Sequence, residues 1–140
     1  MLKKPPEAQP TSNTLAPGKR PMHTLNAYTV FKDGRPFMVG GTPGADFQVQ
    51  GNTQIITGVI DYGMAPQPLV DAPRWMSTPG SDPPTLGEPF EVSLEPEMPE
   101  EVREGLRERG HRLVGSDAMA SPGIVQLIQI DQATGGLMGA

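Results

Sequence analysis

Between Val39 and Gln48 the chain reads Val-Gly-Gly-Thr-Pro-Gly-Ala-Asp-Phe-Gln, and this glycine-rich bend restricts the fold more than any other stretch. It joins two different periodicities. Upstream, Tyr28 to Phe31 is β-prone, Lys32-Asp33-Gly34 is a hairpin turn with Asp-Gly at its tip, and Pro36 to Val39 resumes the apolar run. Downstream, Val49, Thr53, Ile56 and Ile60 recur at helical spacing from about Gln48, with Ile55 and Val59 widening the stripe. Gly63 is placed to stop that helix. Gly18 to Gly63 therefore predicts strand, turn, strand, loop, helix. Glycine lacks the Cβ that keeps a backbone away from a bound group, so this loop can present bare N–H groups. Amides opening onto a helix N-terminus suit negative charge, either a ligand carboxylate or the oxyanion of acyl transfer. The same spacing also fits a tight strand-to-helix turn that needs glycine for geometry alone.

The remaining elements are shorter. Pro66 to Asp71 reads as a helical turn stopped by Pro73, and Arg74-Trp75-Met76 leaves it as strand or loop. Arg74 is expected to pair with a carboxylate of the fold, Trp75 to pack in the core or at its rim. Ser77 to Pro89 reads as a connecting loop. Phe90 to Leu94 alternates with period two and predicts a strand with one buried face. Pro99 then opens a helix running to Arg109, with Glu100 and Glu101 matched to its dipole, Val102 and Leu106 facing inward, and Gly110 ending it. His111 to Val114 follows as a short strand. His111 fits a general base or a residue beside a helix cap. Ile124 to Ile130 is apolar enough to lie centrally in a sheet with Ile128 buried, and Leu137-Met138 begins a further strand.

Composition narrows the partners. At 140 residues, with 36% hydrophobic residues, 17 Pro and 17 Gly, the chain holds one domain at most and has little material for a self-sufficient core. A net charge of −5 argues against nucleic-acid and anionic-membrane surfaces. With no cysteine, disulfides, thiolate metal sites and Cys nucleophiles are excluded. No apolar run is long enough to span a bilayer, and Lys3-Lys4 is followed by Pro5-Pro6-Glu7 where a signal peptide would need an apolar core. Residues 1–17 read as an extended or disordered lead-in.

From Leu15 onward the chain resembles the C-terminal part of the small subunit of the γ-glutamyltransferase (γ-glutamyltranspeptidase, glutathione hydrolase) family. The matching segments are Pro17-Gly18-Lys19-Arg20-Pro21, the hairpin at Lys32-Asp33-Gly34, Gly41-Thr42-Pro43-Gly44-Ala45, Ile60-Asp61-Tyr62-Gly63 and Val70-Asp71-Ala72-Pro73-Arg74-Trp75. Arg109-Gly110-His111 and Gly135-Gly136-Leu137-Met138-Gly139-Ala140 continue the series. Their order and spacing together carry the resemblance. It implies an α+β chain that forms part of an N-terminal-nucleophile hydrolase fold, an αββα sandwich, with antiparallel strands and helices over about 48–61 and 99–109. Residues 18–140 would be the C-terminal portion of such a subunit, ending before the family's own C-terminus.

The resemblance further implies a self-cleaving precursor whose newly exposed threonine attacks a γ-glutamyl amide, with its own α-amine as base. No cofactor and no metal ligand set are expected. The oxyanion loop falls on Gly44 and Ala45, where better-studied members carry two glycines. Two serines that hold the donor carboxylate correspond to His23 and Thr24, and the His-Thr pair is similar to the acylase-like branch. The expected substrate is a γ-glutamyl or related acyl amide. The nucleophile would lie upstream of Met1, so the expected partner is the missing large-subunit or N-terminal segment, and the isolated chain is expected to be inactive. The alternative is a non-catalytic binding or assembly module docking on a separate large chain.

Overall fold

The computed structural model describes residues 14–20, 24–44, 47–79, 87, 89–115 and 125–140. The Asp-Gly turn forms as expected: Asp33 and Gly34 both take positive φ, 51° and 75°, and join β1 (Tyr28–Lys32) to β2 (Arg35–Gly41). β2 then empties into the glycine-rich bend, and α1 (Phe47–Ile60) follows. α2 (Pro66–Asp71) turns the chain into β3 (Trp75–Thr78). After β4 (Glu91–Leu94) come α3 (Glu100–Glu108), β5 (Leu113–Val114), β6 (Gln126–Ile130) and β7 (Leu137–Gly139). Ser77 and Thr78 belong to β3 because they pair with Val92 and Glu91, so the loop expected from Ser77 starts later.

Among the described residues two sheets form, one of four strands in the order β1-β2-β6-β7 and one of three in the order β3-β4-β5. β6 lies inside the first sheet, between β2 and β7, where its apolar run predicted it. All pairs are antiparallel except β4 with β5. There α3 carries the chain back to the same end of the sheet, which the pattern of either strand does not reveal.

Alternation sorts the first sheet into two faces. Met38 and Leu127, 0% and 2% exposed, pack with Ile55, Val59, Leu69 and Val125 beneath α1 and α2. Fully burying each such side chain contributes roughly 1.5–3 kcal/mol. The register aligns Thr29, Val39, Ile128 and Gly139 across the opposite face. Ile128 is 40% exposed there, so its expected burial is corrected: Leu127 is the core residue of β6.

The buried face of α1 is rotated from the one its spacing suggested: Ile55 and Val59 are buried as expected, together with Phe47, Gly51, Asn52 and Gly58, whereas Val49 and Ile60 are exposed. The cause is close packing at two glycines. A Cβ on Gly51 would stand 2.7 Å from the Phe47 ring, and one on Gly58 would collide with Leu69. Both large side chains lie against bare backbone, and that turns the helix. Gly63, with φ 64°, ends it as expected.

Along the edge of the second sheet, two α1 side chains act as a surrogate strand. The Ser77 N–H donates to Gln50 Oε1 at 2.7 Å, and Gln50 Nε2 donates to the Ser77 carbonyl at 3.0 Å. One helical turn on, Gln54 does the same with Trp75, at 3.1 and 2.9 Å. Each carboxamide reproduces the donor and acceptor of a peptide group, satisfying ladder positions that an edge strand leaves open.

α3 departs from its predicted packing. No residue of it is buried, Val102 is 41% exposed and Leu106 half-buried. Its inward contact is made by Arg103, whose guanidinium donates to the carbonyls of Glu95 and Met98. Arg74 meets its expected carboxylate: Nη2 and Nε donate to Glu95 Oε1 and Oε2 at 2.7 and 3.2 Å, and the Arg74 N–H donates to Oε2 at 2.7 Å. Trp75, 40% exposed, packs at the rim.

Candidate active site

A groove of about 1250 Å³ runs along the open face of the first sheet. Its floor is the row Thr29, Val39, Ile128 and Gly139. One wall is the approach to β1, including Thr24 and Asn26; the glycine-rich bend closes one side with Thr42 and Pro43, and Gln48 adds a carboxamide from the first turn of α1. The lining is mainly apolar with polar groups at the rim, as ligand sites commonly are.

Gly44 follows Pro43 directly. Its φ of +120° lies where L side chains are strained, so glycine is favoured there by conformation. Its carbonyl accepts the Phe47 N–H at 2.8 Å, which fixes the turn into α1. Its own N–H has no partner among the described residues. Thr42 is buried, and its hydroxyl donates to the Pro43 carbonyl at 2.9 Å, stiffening the bend from inside.

Of the four residues that the sequence nominated, Gly44 and Thr24 lie among the described residues, and Ala45 and His23 lie outside them. Thr24 is exposed and lines the groove together with Thr42 and Pro43. Asn52, which the sequence reading passed over, reaches this wall from below: its Nδ2 donates to the Asn26 carbonyl at 3.0 Å. A carboxamide at helical spacing from Ile55 and Val59 was the available signal. Tyr28 also borders the groove; its hydroxyl is buried against Gly40 without a hydrogen-bond partner among the described residues, and burial pushes the phenol up to about 12. Among the described residues no three His, Cys, Asp or Glu side chains gather as a metal site, and no helix is long and apolar enough to cross a membrane.

Residues 3–140 match the profile of the family described as gamma-glutamyltranspeptidase. The chain belongs to that family. It is 40% identical over 100 residues to a glutathione hydrolase-like YwrD proenzyme of Bacillus subtilis (strain 168), covering 71% of this chain and 18% of that relative. To an acylase ACY 1 proenzyme of Pseudomonas sp. (strain SE83) it is 33% identical over 107 residues, 76% of this chain and 17% of that one. In structure it is similar to a cephalosporin acylase from Bacillus halodurans, with a TM-score of 0.73 and 34% identity over 90% of this chain and 22% of that chain. It is likewise similar to a Helicobacter pylori gamma-glutamyltranspeptidase mutant, with a TM-score of 0.65 and 26% identity over 94% of this chain and 66% of that one. The family is thus shared with both glutathione hydrolases and acylases, and the fold is the α+β arrangement of N-terminal-nucleophile hydrolases. The chain spans about a fifth of the length of these curated relatives, 18% and 17%.

Proposed function

We propose that this chain is the oxyanion-binding and donor-gripping part of an enzyme that hydrolyses or transfers γ-glutamyl or related acyl amides. The observation that carries the reading is Gly44: a glycine held at φ +120° beside a large groove, its N–H unpartnered among the described residues. Family membership supplies the chemistry. A threonine hydroxyl, contributed by polypeptide outside these 140 residues, adds to the acyl carbonyl and passes its proton to its own α-amine. The carbonyl oxygen becomes an oxyanion and is met by the N–H groups of Gly44 and Ala45. The C–N bond then breaks, the departing amine takes the proton, and water or an acceptor amine releases the acyl group. Thr24 and His23 hold the carboxylate end of the donor. Residues 18–140 act within a larger assembly on this reading, residues 1–17 are a lead-in, and the 140 residues alone do not turn over substrate. The acylase relatives favour including acyl-cephalosporin amides among the donors tested.

The test is Gly44→Val in the complete enzyme, assayed on a γ-glutamyl anilide and an acyl-cephalosporin amide. Loss of a positioned oxyanion donor should lower kcat about 10²–10³-fold. A β-carbon at positive φ also strains the backbone by roughly 1–2 kcal/mol, so melting has to be measured alongside. If kcat falls only as far as the folded fraction does, the bend is a turn and nothing more.

A further inference from the structure

We infer that Asn52 is a positioning residue for the groove wall Thr24–Ala27, and this rests on the acyl-transfer reading above. Asn52 is 6% exposed in the middle of α1, on the stripe that otherwise buries Phe47, Gly51, Ile55 and Val59. A carboxamide in such a place is costly unless it is hydrogen-bonded. Its Nδ2 donates to the Asn26 carbonyl at 3.0 Å, reaching 26 residues back along the chain. The same segment also runs alongside β2: an ideal Cβ on Gly41 would meet Ala27 Cα at 3.4 Å and the Asn26 carbonyl oxygen at 3.6 Å, ordinary van der Waals contact.

The segment is thereby referenced to two elements, and one of them, α1, begins at the bend that carries Gly44. A single rigid helix sets both the oxyanion side and the donor-gripping side of the groove. The carboxamide is specific for this task. Leucine would fill the volume but leave the Asn26 carbonyl unpaired, and aspartate would set a second acceptor against it. Asn52 touches neither donor nor nucleophile; it acts through Asn26 on Thr24.

The complete enzyme is compared with Asn52→Leu and Asn52→Asp on a γ-glutamyl anilide and an acyl-cephalosporin amide. Loss of one neutral hydrogen bond should raise the donor KM about 3- to 10-fold while kcat stays within about 2-fold. In Asn52→Asp the protonated acid regains a donor, so the ratio of its KM to that of the unsubstituted enzyme should fall as pH is lowered. Amide hydrogen exchange over 24–27 should quicken in both variants, with 100–114 unchanged. An unmoved KM in both variants overturns the inference, as do KM, kcat and melting shifting together without a pH-dependent ratio. Absence of turnover in the unsubstituted enzyme overturns the acyl-transfer reading and this inference with it.

Discussion

The two sheets are held by different physics. Beneath α1 and α2 the four-stranded sheet closes over Met38, Ile55, Val59, Leu69, Val125 and Leu127, a cluster of apolar side chains with specific shapes. Around the three-stranded sheet, Leu94 and Ser93 are buried in β4, but α3 buries nothing, and arginines hold the surroundings: Arg74 on Glu95, Arg103 on the Glu95 and Met98 carbonyls, Arg107 on Glu100. Volume decides the first region, because interiors are packed as densely as organic crystals. Charge-assisted hydrogen bonds decide the second, and these depend on geometry and solvent access. The groove lies along the first region, so the proposed site would rest on the half whose packing tolerates least change.

The largest expected effect is in the first core. Leu127→Ala should cost about 2–5 kcal/mol, because it leaves a cavity among Met38, Ile55 and Val59. Ile128→Ala, on the groove floor at 40% exposure, should cost about 1 kcal/mol or less. Chemical unfolding of the two variants decides it. Equal losses would mean that β6 is slipped by one residue, since a one-position shift exchanges the faces of a strand.

An intermediate effect is expected where the two regions meet. Arg74 and Glu95 are each 14% exposed, so Glu95→Ala removes the half-buried ion pair and the acceptor of the Arg74 N–H. The loss should be about 1–3 kcal/mol. Arg107→Ala removes a pair whose side chains are 52% and 64% exposed, and should change stability by about 0–1 kcal/mol. If the two substitutions cost the same in thermal melts, the second region is not organised by its half-buried pair, and the contrast between the sheets fails there.

The contrast also accounts for what the sequence disclosed. Turns written in backbone chemistry were legible: Asp33-Gly34, Gly63 and Gly110 all adopt positive φ where the residue types demanded it. So was the partner of Arg74 as a type of residue, since a guanidinium leaving a short helix needs a carboxylate. Which face α1 buries was not legible, because Gly51 and Gly58 are buried by Phe47 and Leu69 rather than by side chains of their own. In the proposed site, Gly44 was nominated by residue type and chain order. Asn52 was not, since its acceptor is a main-chain carbonyl that leaves no mark in composition. The inward face of α3 misled for a related reason: arginine is read as solvated, yet Arg103 carries that helix's contact.

The smallest expected effect tests whether charge matters at all in the first region. Asp131 sits in the turn between β6 and β7, where its Oδ1 accepts the N–H groups of Ala133 and Thr134 at 2.8 and 3.3 Å. The Ala133 N–H, followed by bonds from Thr134, holds its carboxyl below the usual value of 3.8. A carboxyl depressed in the folded state stabilises the fold above its unfolded pKa, and that contribution disappears as pH falls through the folded one. Acid below about pH 4 should therefore loosen this turn, seen as faster exchange of the Ala133 amide, while the Met38–Leu127 core keeps its protection. Asp131→Ala should remove the pH dependence and leave the core unchanged. If the core amides lose protection in step with Ala133, the turn and the apolar cluster open as one unit, and electrostatics reaches further into the first region than its packing implies.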